Sequence, residues 1–166
     1  VTVGADRWNL IVGTPEGIAT RSRDLLPDAI TVVVEGAIRW CKKNRADIWA
    51  YADQPVRRVA AFPASLVVWG LPGDERVWLA AGVQFHALPD GSIMGDQGIP
   101  RPADAFFRAL ELACTTCHAK TVRIFGCEGW KGDDRWKRSA LGKLWRDASA
   151  HGVEIQRPYL PSQRLR

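Results

Sequence analysis

Short, largely β-branched apolar runs that stop at a glycine or an acidic residue recur along this chain, and they restrict its fold more than any other feature. Leu10-Ile-Val12 halts at Gly13-Thr-Pro-Glu-Gly17, Ile30–Val34 at Glu35-Gly36, Ile48–Tyr51 just before Asp53, and Thr121–Phe125 at Gly126-Cys-Glu-Gly129. The apolar positions run on without polar alternation, which predicts strands covered on both faces. Between them lie stretches of helical character: Ala37–Asn44, Gln54–Ala61, about Ala103 to His118 and about Asp133 to Ala150. Inner strands alternating with helices imply an α/β fold, a three-layer Rossmann-like arrangement with a mostly parallel sheet and helices on both faces. The 166 residues suit one such domain. Its expected span is 1–157, with 158–166 as a basic C-terminal tail.

The remaining segments fit around that frame. Leu66–Trp69 and Val77–Ala81 bracket a loop at Gly70-Leu-Pro-Gly-Asp74, Val83–Leu88 reads as a further strand, and Val153–Gln156 as an edge strand. Pro89–Pro102 is rich in Gly and Pro, so no helix or central strand fits it, and loops of that length tend to be lids or binding loops. In the 103–118 helix, Phe106, Phe107, Leu110, Ala113, Cys114 and Cys117 share one face. Cys114-Thr-Thr-Cys117-His118 matches the pattern of covalent haem attachment. Helical spacing turns both cysteines toward the core, so no haem is expected, and Cys41 and Cys127 also read as free thiols of a reducing compartment.

Charge is uneven. The net charge is +5, and after Trp130 nine Lys/Arg face four Asp/Glu, so the whole excess is C-terminal. Such a region meets phosphate, nucleic acid or an acidic partner, or is a solvated helix face with a basic tail. No apolar run reaches eighteen residues and no basic-then-apolar segment opens the chain, so a cytoplasmic protein with no membrane partner is expected.

In a parallel sheet the carboxyl ends of all strands share one edge, where ligands of open α/β sheets bind. Glu16, Glu35, Asp53 and Glu128 follow strands here, with Gly13 and Gly17 in the first turn. Carboxylates so placed hold ribose hydroxyls, bind a divalent ion such as Mg or Mn, or act as general base. Taken singly, each also reads as a cap for the next helix. As a set they read as a site. Gly13, Thr14, Glu16 and Gly17 would then cradle a ligand, Glu35 and Asp53 would hold ribose or metal, and Glu128 would complete an acidic rim. Lys131 and Arg135 would neutralise phosphate at the start of the last helix. With Trp130 and Trp136 interleaved, the same stretch also suits single-stranded nucleic acid. His86, near the Pro89–Pro102 loop, is a further candidate base.

The layout of Gly13-Thr-Pro-Glu-Gly-Ile18, Glu35, Asp53 and Gly126-Cys-Glu128 resembles a family of Rossmann-like proteins. It includes bacterial family-42 sialyltransferases, archaeal 6-hydroxymethylpterin diphosphokinase-like proteins and many phage proteins. In that family the first turn reads Gly-Asn-Gly-Pro-Ser-Leu, the second strand ends in Asn, and a later strand closes in Gly-x-Asp. Thr14, Glu35 and Glu128 stand at the corresponding Asn, Asn and Asp. The resemblance implies a nucleotide or nucleotide-sugar ligand, contacted by the first turn and the second-strand residue, and a glycosyltransferase-like or diphosphotransferase-like activity. A non-catalytic, phage-type binder of a nucleotide signal and a nucleic-acid module using the basic C-terminal region are the other expected classes.

Overall fold

A computed structural model describes residues 5–53, 66–94, 100–102, 104–132 and 135–157, with backbone alone at 92–94, 100–102 and 135. The expected strands form. β1 (Arg7–Ile11), β2 (Ile30–Val34), β3 (Ile48–Ala50), β4 (Val67–Gly70) and β5 (Phe85–Ala87) run in one direction, joined by β8 (Thr121–Phe125) and β9 (Glu154–Gln156). They make a seven-stranded, wholly parallel sheet in the order β5-β4-β3-β2-β1-β8-β9. The chain steps outward from β1 to β5, then returns to β8 and β9 on the other side of β1. Its topological switch point therefore lies between β1 and β8. A separate antiparallel pair, β6 (Ser92–Met94) and β7 (Pro100–Pro102), lies in the Gly/Pro-rich segment.

Helices cover both faces, which makes three layers. In-register pairing puts Leu10 beside Val32 and Ile11 beside Val33, and strand alternation sends the two pairs to opposite faces. One face carries Trp8, Leu10, Val32, Val34, Val122 and Ile124. It packs against α3 (Ala105–Cys114) and α4 (Arg135–Ala150) through residues such as Phe106, Leu110 and Leu141. On the other, Ile11, Val33, Trp49, Tyr51 and Phe125 pack against Ala37 and Trp40 of a 3-10 helix, Glu35–Lys42, and against Trp78 of α2 (Glu75–Ala80). Cys117 is buried and Cys114 half-buried, and both are free thiols. Burial raises the pKa of each above the ordinary thiol value, Cys114 to about 11.

Two expectations need correction. Val77–Ala81 does not flank the loop as a strand, because Glu75–Ala80 is helical, with Trp78 inward and Val77 and Leu79 about half exposed. Ala37–Asn44 is helical, but as a 3-10 helix that begins earlier, at Glu35. The expected helix Gln54–Ala61 and the tail 158–166 lie outside the described residues.

Tyr51 ties the second core to the sheet edge. It is fully buried, donates to Asp74 Oδ2 (2.6 Å) and accepts from Trp78 Nε1 (2.8 Å). Tyr51→Phe removes the hydroxyl that links Asp74 to Trp78. Urea unfolding should show about 1–3 kcal/mol of lost stability. An unchanged midpoint would mean that this hydrogen-bond pair contributes nothing net.

Candidate functional site

The first turn leaves β1 as expected but closes on itself. Thr14 caps the four-residue helix α1 (Pro15–Ile18), accepting from Gly17 N–H at 3.1 Å. Its hydroxyl donates to Gly126 O (2.8 Å) at the end of β8. This bond crosses the switch point. Gly17 is buried, and a Cβ there would stand 1.9 Å from Val12 O, so the backbone presses directly onto the strand end. On the other side of the joint, one carboxylate oxygen of Glu16 lies close over Gly129. That oxygen, Oε2, is buried without a hydrogen-bond partner among the described residues. The β1 turn and the 3-10 turn Cys127–Gly129 thus pack on each other at the switch point.

A cleft of about 220 Å³ opens beside this joint, above the carboxyl ends of β1, β2 and β3. Its lining unites Gly13 and Thr14 with Glu35 and Asp53 from the next two strand ends. The opposite wall holds Asp104, Phe106, Trp130 and Lys137. Asp104 caps α3 by accepting from Phe107 N–H (3.2 Å), and it pairs with Lys137 Nζ at 2.9 Å. The Lys137 ammonium also stands over the Trp130 ring, 5.7 Å from its centroid, within cation–π range. The cation is thus held back against the wall.

Glu35 is the most constrained residue of the cleft. Its φ of 50° is in the left-handed region, which a non-glycine residue adopts at a cost of about 1–2 kcal/mol. Three bonds hold it there. Its carbonyl accepts from Trp49 Nε1 (2.9 Å), while Oε1 accepts from Ala52 N–H (2.6 Å) and Asp53 N–H (3.2 Å). The second oxygen, Oε2, is buried with no hydrogen-bond partner among the described residues. Desolvation raises the Glu35 pKa above its ordinary value. The two amide bonds oppose that shift, and the charges of Asp53 and Asp104 add to it. A strained residue fixed by three neighbours and keeping a spare acceptor in a cleft has the form of a ligand-binding group.

Of the residues singled out from sequence, the cleft gathers Gly13, Thr14, Glu35 and Asp53. Glu16 and Gly17 sit in the packed joint instead. Glu128 is half-buried in the 3-10 turn, where its carbonyl accepts from Arg138, and Lys131 is exposed; neither lines the cleft. The Arg135 backbone starts α4, and its side chain lies outside the description. His86 is on β5, the outermost strand, with Nδ1 against Ala87 O (2.8 Å), separated from β3 by β4. Asp104 did not stand out in the sequence as a site residue, and Lys137 did so only as part of the basic stretch suited to nucleic acid. Asp104 directly precedes an apolar-periodic helix, a cap signature that could have marked it.

A second, larger depression of about 330 Å³ lies between α3, α4 and β9, with Leu110, Leu144, Val153 and Ile155 in its lining. Its polar residues Glu111, Asp147 and His151 are all exposed. Among the described residues, no group of three or more His, Cys, Asp or Glu is placed to hold a metal ion, and no helix is long and apolar enough to cross a membrane. No protein-family model matches the chain, and neither does any curated protein or solved structure.

Proposed function

We propose that the cleft binds the hydroxyl-bearing ring of a nucleotide or nucleotide sugar, its ribose or its sugar, and that the protein acts on or retains such a ligand. The observation that carries this reading is Glu35. One oxygen is fixed by the amides of Ala52 and Asp53, and the other, in a half-buried setting, has no partner among the described residues. A carboxylate held in that way is a preformed acceptor for a ligand hydroxyl, and charge-assisted hydrogen bonds of this kind are the strong ones. Phe106 and Trp130, both nearly fully buried, make part of the opposite wall apolar.

The charge balance narrows the ligand further. Among the described residues that line it, Glu35, Asp53 and Asp104 face a single lysine, already paired with Asp104. Phosphates fit poorly inside such a cleft, so they would lie outside it. Mg or Mn, where bound, would come with the ligand's phosphates, since the described residues offer no three-ligand group of their own. For a group transfer, Asp53, exposed at the rim, is the carboxylate a ligand hydroxyl can reach. The resemblance to sialyltransferase-like and diphosphokinase-like proteins points to the same ligand class.

A thermal-shift screen against nucleosides, nucleotides, nucleotide sugars and free sugars, with and without Mg or Mn, tests the reading. A ligand at about a hundred times its Kd stabilises the folded state by about 2.7 kcal/mol. For a chain of this size that is a rise of roughly 5–10 °C. Glu35→Ala and Asp53→Ala should abolish it. A rise that survives Glu35→Ala, or no rise with any of these ligands, rejects the proposal.

A further inference from the structure

We infer that a second surface, on the amino-terminal half of the chain and independent of the cleft, binds the phosphate backbone of double-stranded nucleic acid. Residues 21–45 contain six basic residues, Arg21, Arg23, Arg39, Lys42, Lys43 and Arg45, and all six are exposed. They come from two segments far apart in sequence that hydrogen bonds join. Ser22 Oγ donates to Asn44 Oδ1 (2.7 Å), and Trp40 Nε1 donates to Thr20 O (2.8 Å). Asn44 Nδ2 donates in turn to Trp40 O (3.1 Å), which fixes the loop after the 3-10 helix against the turn at Ser22–Asp24. Threefold helical spacing puts Arg39 and Lys42 on one side, while Ala37 and Trp40 face the core.

None of the six forms an ion pair among the described residues. The acidic residues of the same span are Asp24, Asp28 and Glu35, and Glu35 is turned into the cleft. Just beyond, the Asp47 carboxylate is engaged by the Thr31 amide (2.8 Å). The surface therefore carries a net positive charge. In the linear sequence it is hidden, because charges balance over the first 130 residues.

The chemistry of the surface selects among polyanions. An anionic membrane would be met with exposed apolar side chains beside the charges, and a protein partner with an apolar or aromatic anchor. Here Trp40 is 2% exposed and Ile38 and Leu25 pack against the second core, so the described residues offer neither anchor. Bases of a single strand need an exposed aromatic platform, which the described residues of this surface also lack. Cations spread over two rigidly joined segments match the repeating phosphates of a duplex, read without regard to sequence.

The test is fluorescence anisotropy of a labelled, mixed-sequence DNA duplex titrated with the full chain at several salt concentrations. Log affinity should fall linearly with log salt, with a slope of roughly −4 to −5 if most of the six cations engage phosphates. Arg21→Glu with Lys42→Glu should weaken binding about tenfold or more at low salt. The milder pair Lys43→Ala with Arg45→Ala should flatten the slope by about two. Reversal of Lys143 and Arg146, both exposed residues of α4, should leave affinity nearly unchanged. The inference is overturned by absence of binding at low salt, by salt-independent binding, or by anionic vesicles binding where duplex does not. It is equally overturned if the α4 reversals abolish binding while those at Arg21 and Lys42 do not. Nucleotide thermal shifts are independent of these outcomes, so the two readings stand or fall separately.

Discussion

Replacing Gly126 with alanine is expected to cost about 2–5 kcal/mol of folding stability. Two separate penalties combine. Gly126 has φ +97°, outside the range an L side chain adopts readily, at roughly 1–2 kcal/mol. The added Cβ would also stand 2.7 Å from Gly17 Cα, 2.8 Å from Gly17 N and 2.8 Å from Thr14 Oγ1. Two of these are backbone atoms of a short helix wedged on β1, which cannot withdraw without breaking the Thr14–Gly126 bond. Overpacking of that kind adds about 1–3 kcal/mol. For a domain stable by about 5–15 kcal/mol, the loss should be plain in guanidinium unfolding. Gly17→Ala attacks the same joint from the other side, so the double variant should cost less than the two singles added together. A Gly126→Ala protein within about 1 kcal/mol of wild type would show that the joint yields easily and that the turn is free to receive a ligand.

That joint also shows what could and could not be read from the chain. Ile30–Val34 and Thr121–Phe125 are strands at the residues expected. An uninterrupted β-branched run stopped by glycine or acid leaves few other conformations, and α3 was plain from its apolar face, although it ends at Cys114 and leaves Cys117 in the turn beyond, short of the expected His118. The segment around Val77 misled because Val77 and Leu79 are apolar yet exposed beside buried Trp78, so burial did not follow hydrophobicity. For the site, the parallel sheet guaranteed that Glu16, Glu35, Asp53 and Glu128 follow strands ending at one edge. Their final places depend on how each turn leaves that edge. The left-handed backbone at Glu35 helps hold its carboxylate by the β3 end, while α1 carries Glu16 toward Gly129. Strand order was likewise hidden, and it alone puts His86 on the outer edge. Asp104 and Lys137 meet the strand ends only through packing between elements distant in sequence.

Glu35→Gln is expected to separate stability from binding, with opposite signs at neutral pH. The carboxyl of Glu35 has its pKa raised above 4.5 in the folded protein, chiefly by burial. Between that ordinary value and the raised one, the folded state holds more protons than the unfolded state, so stability falls as pH rises through this window. The amide of Gln does not titrate and keeps a carbonyl to accept from Ala52. Relative to wild type, Glu35→Gln should therefore gain stability steadily as pH is raised from about 4.5 through the raised pKa. Melting temperatures of the two proteins across that range measure the trend; parallel curves would mean that Glu35 is not perturbed by its burial. Binding should move the other way. A carboxylate is the better acceptor for a hydroxyl, and hydrogen bonds to charged groups are worth about 1.5–3 kcal/mol, so the variant should bind the proposed ligand roughly ten- to a hundredfold more weakly. A strained, partly buried acid kept where a neutral amide would stabilise the fold is what a binding role explains and a bracing role does not.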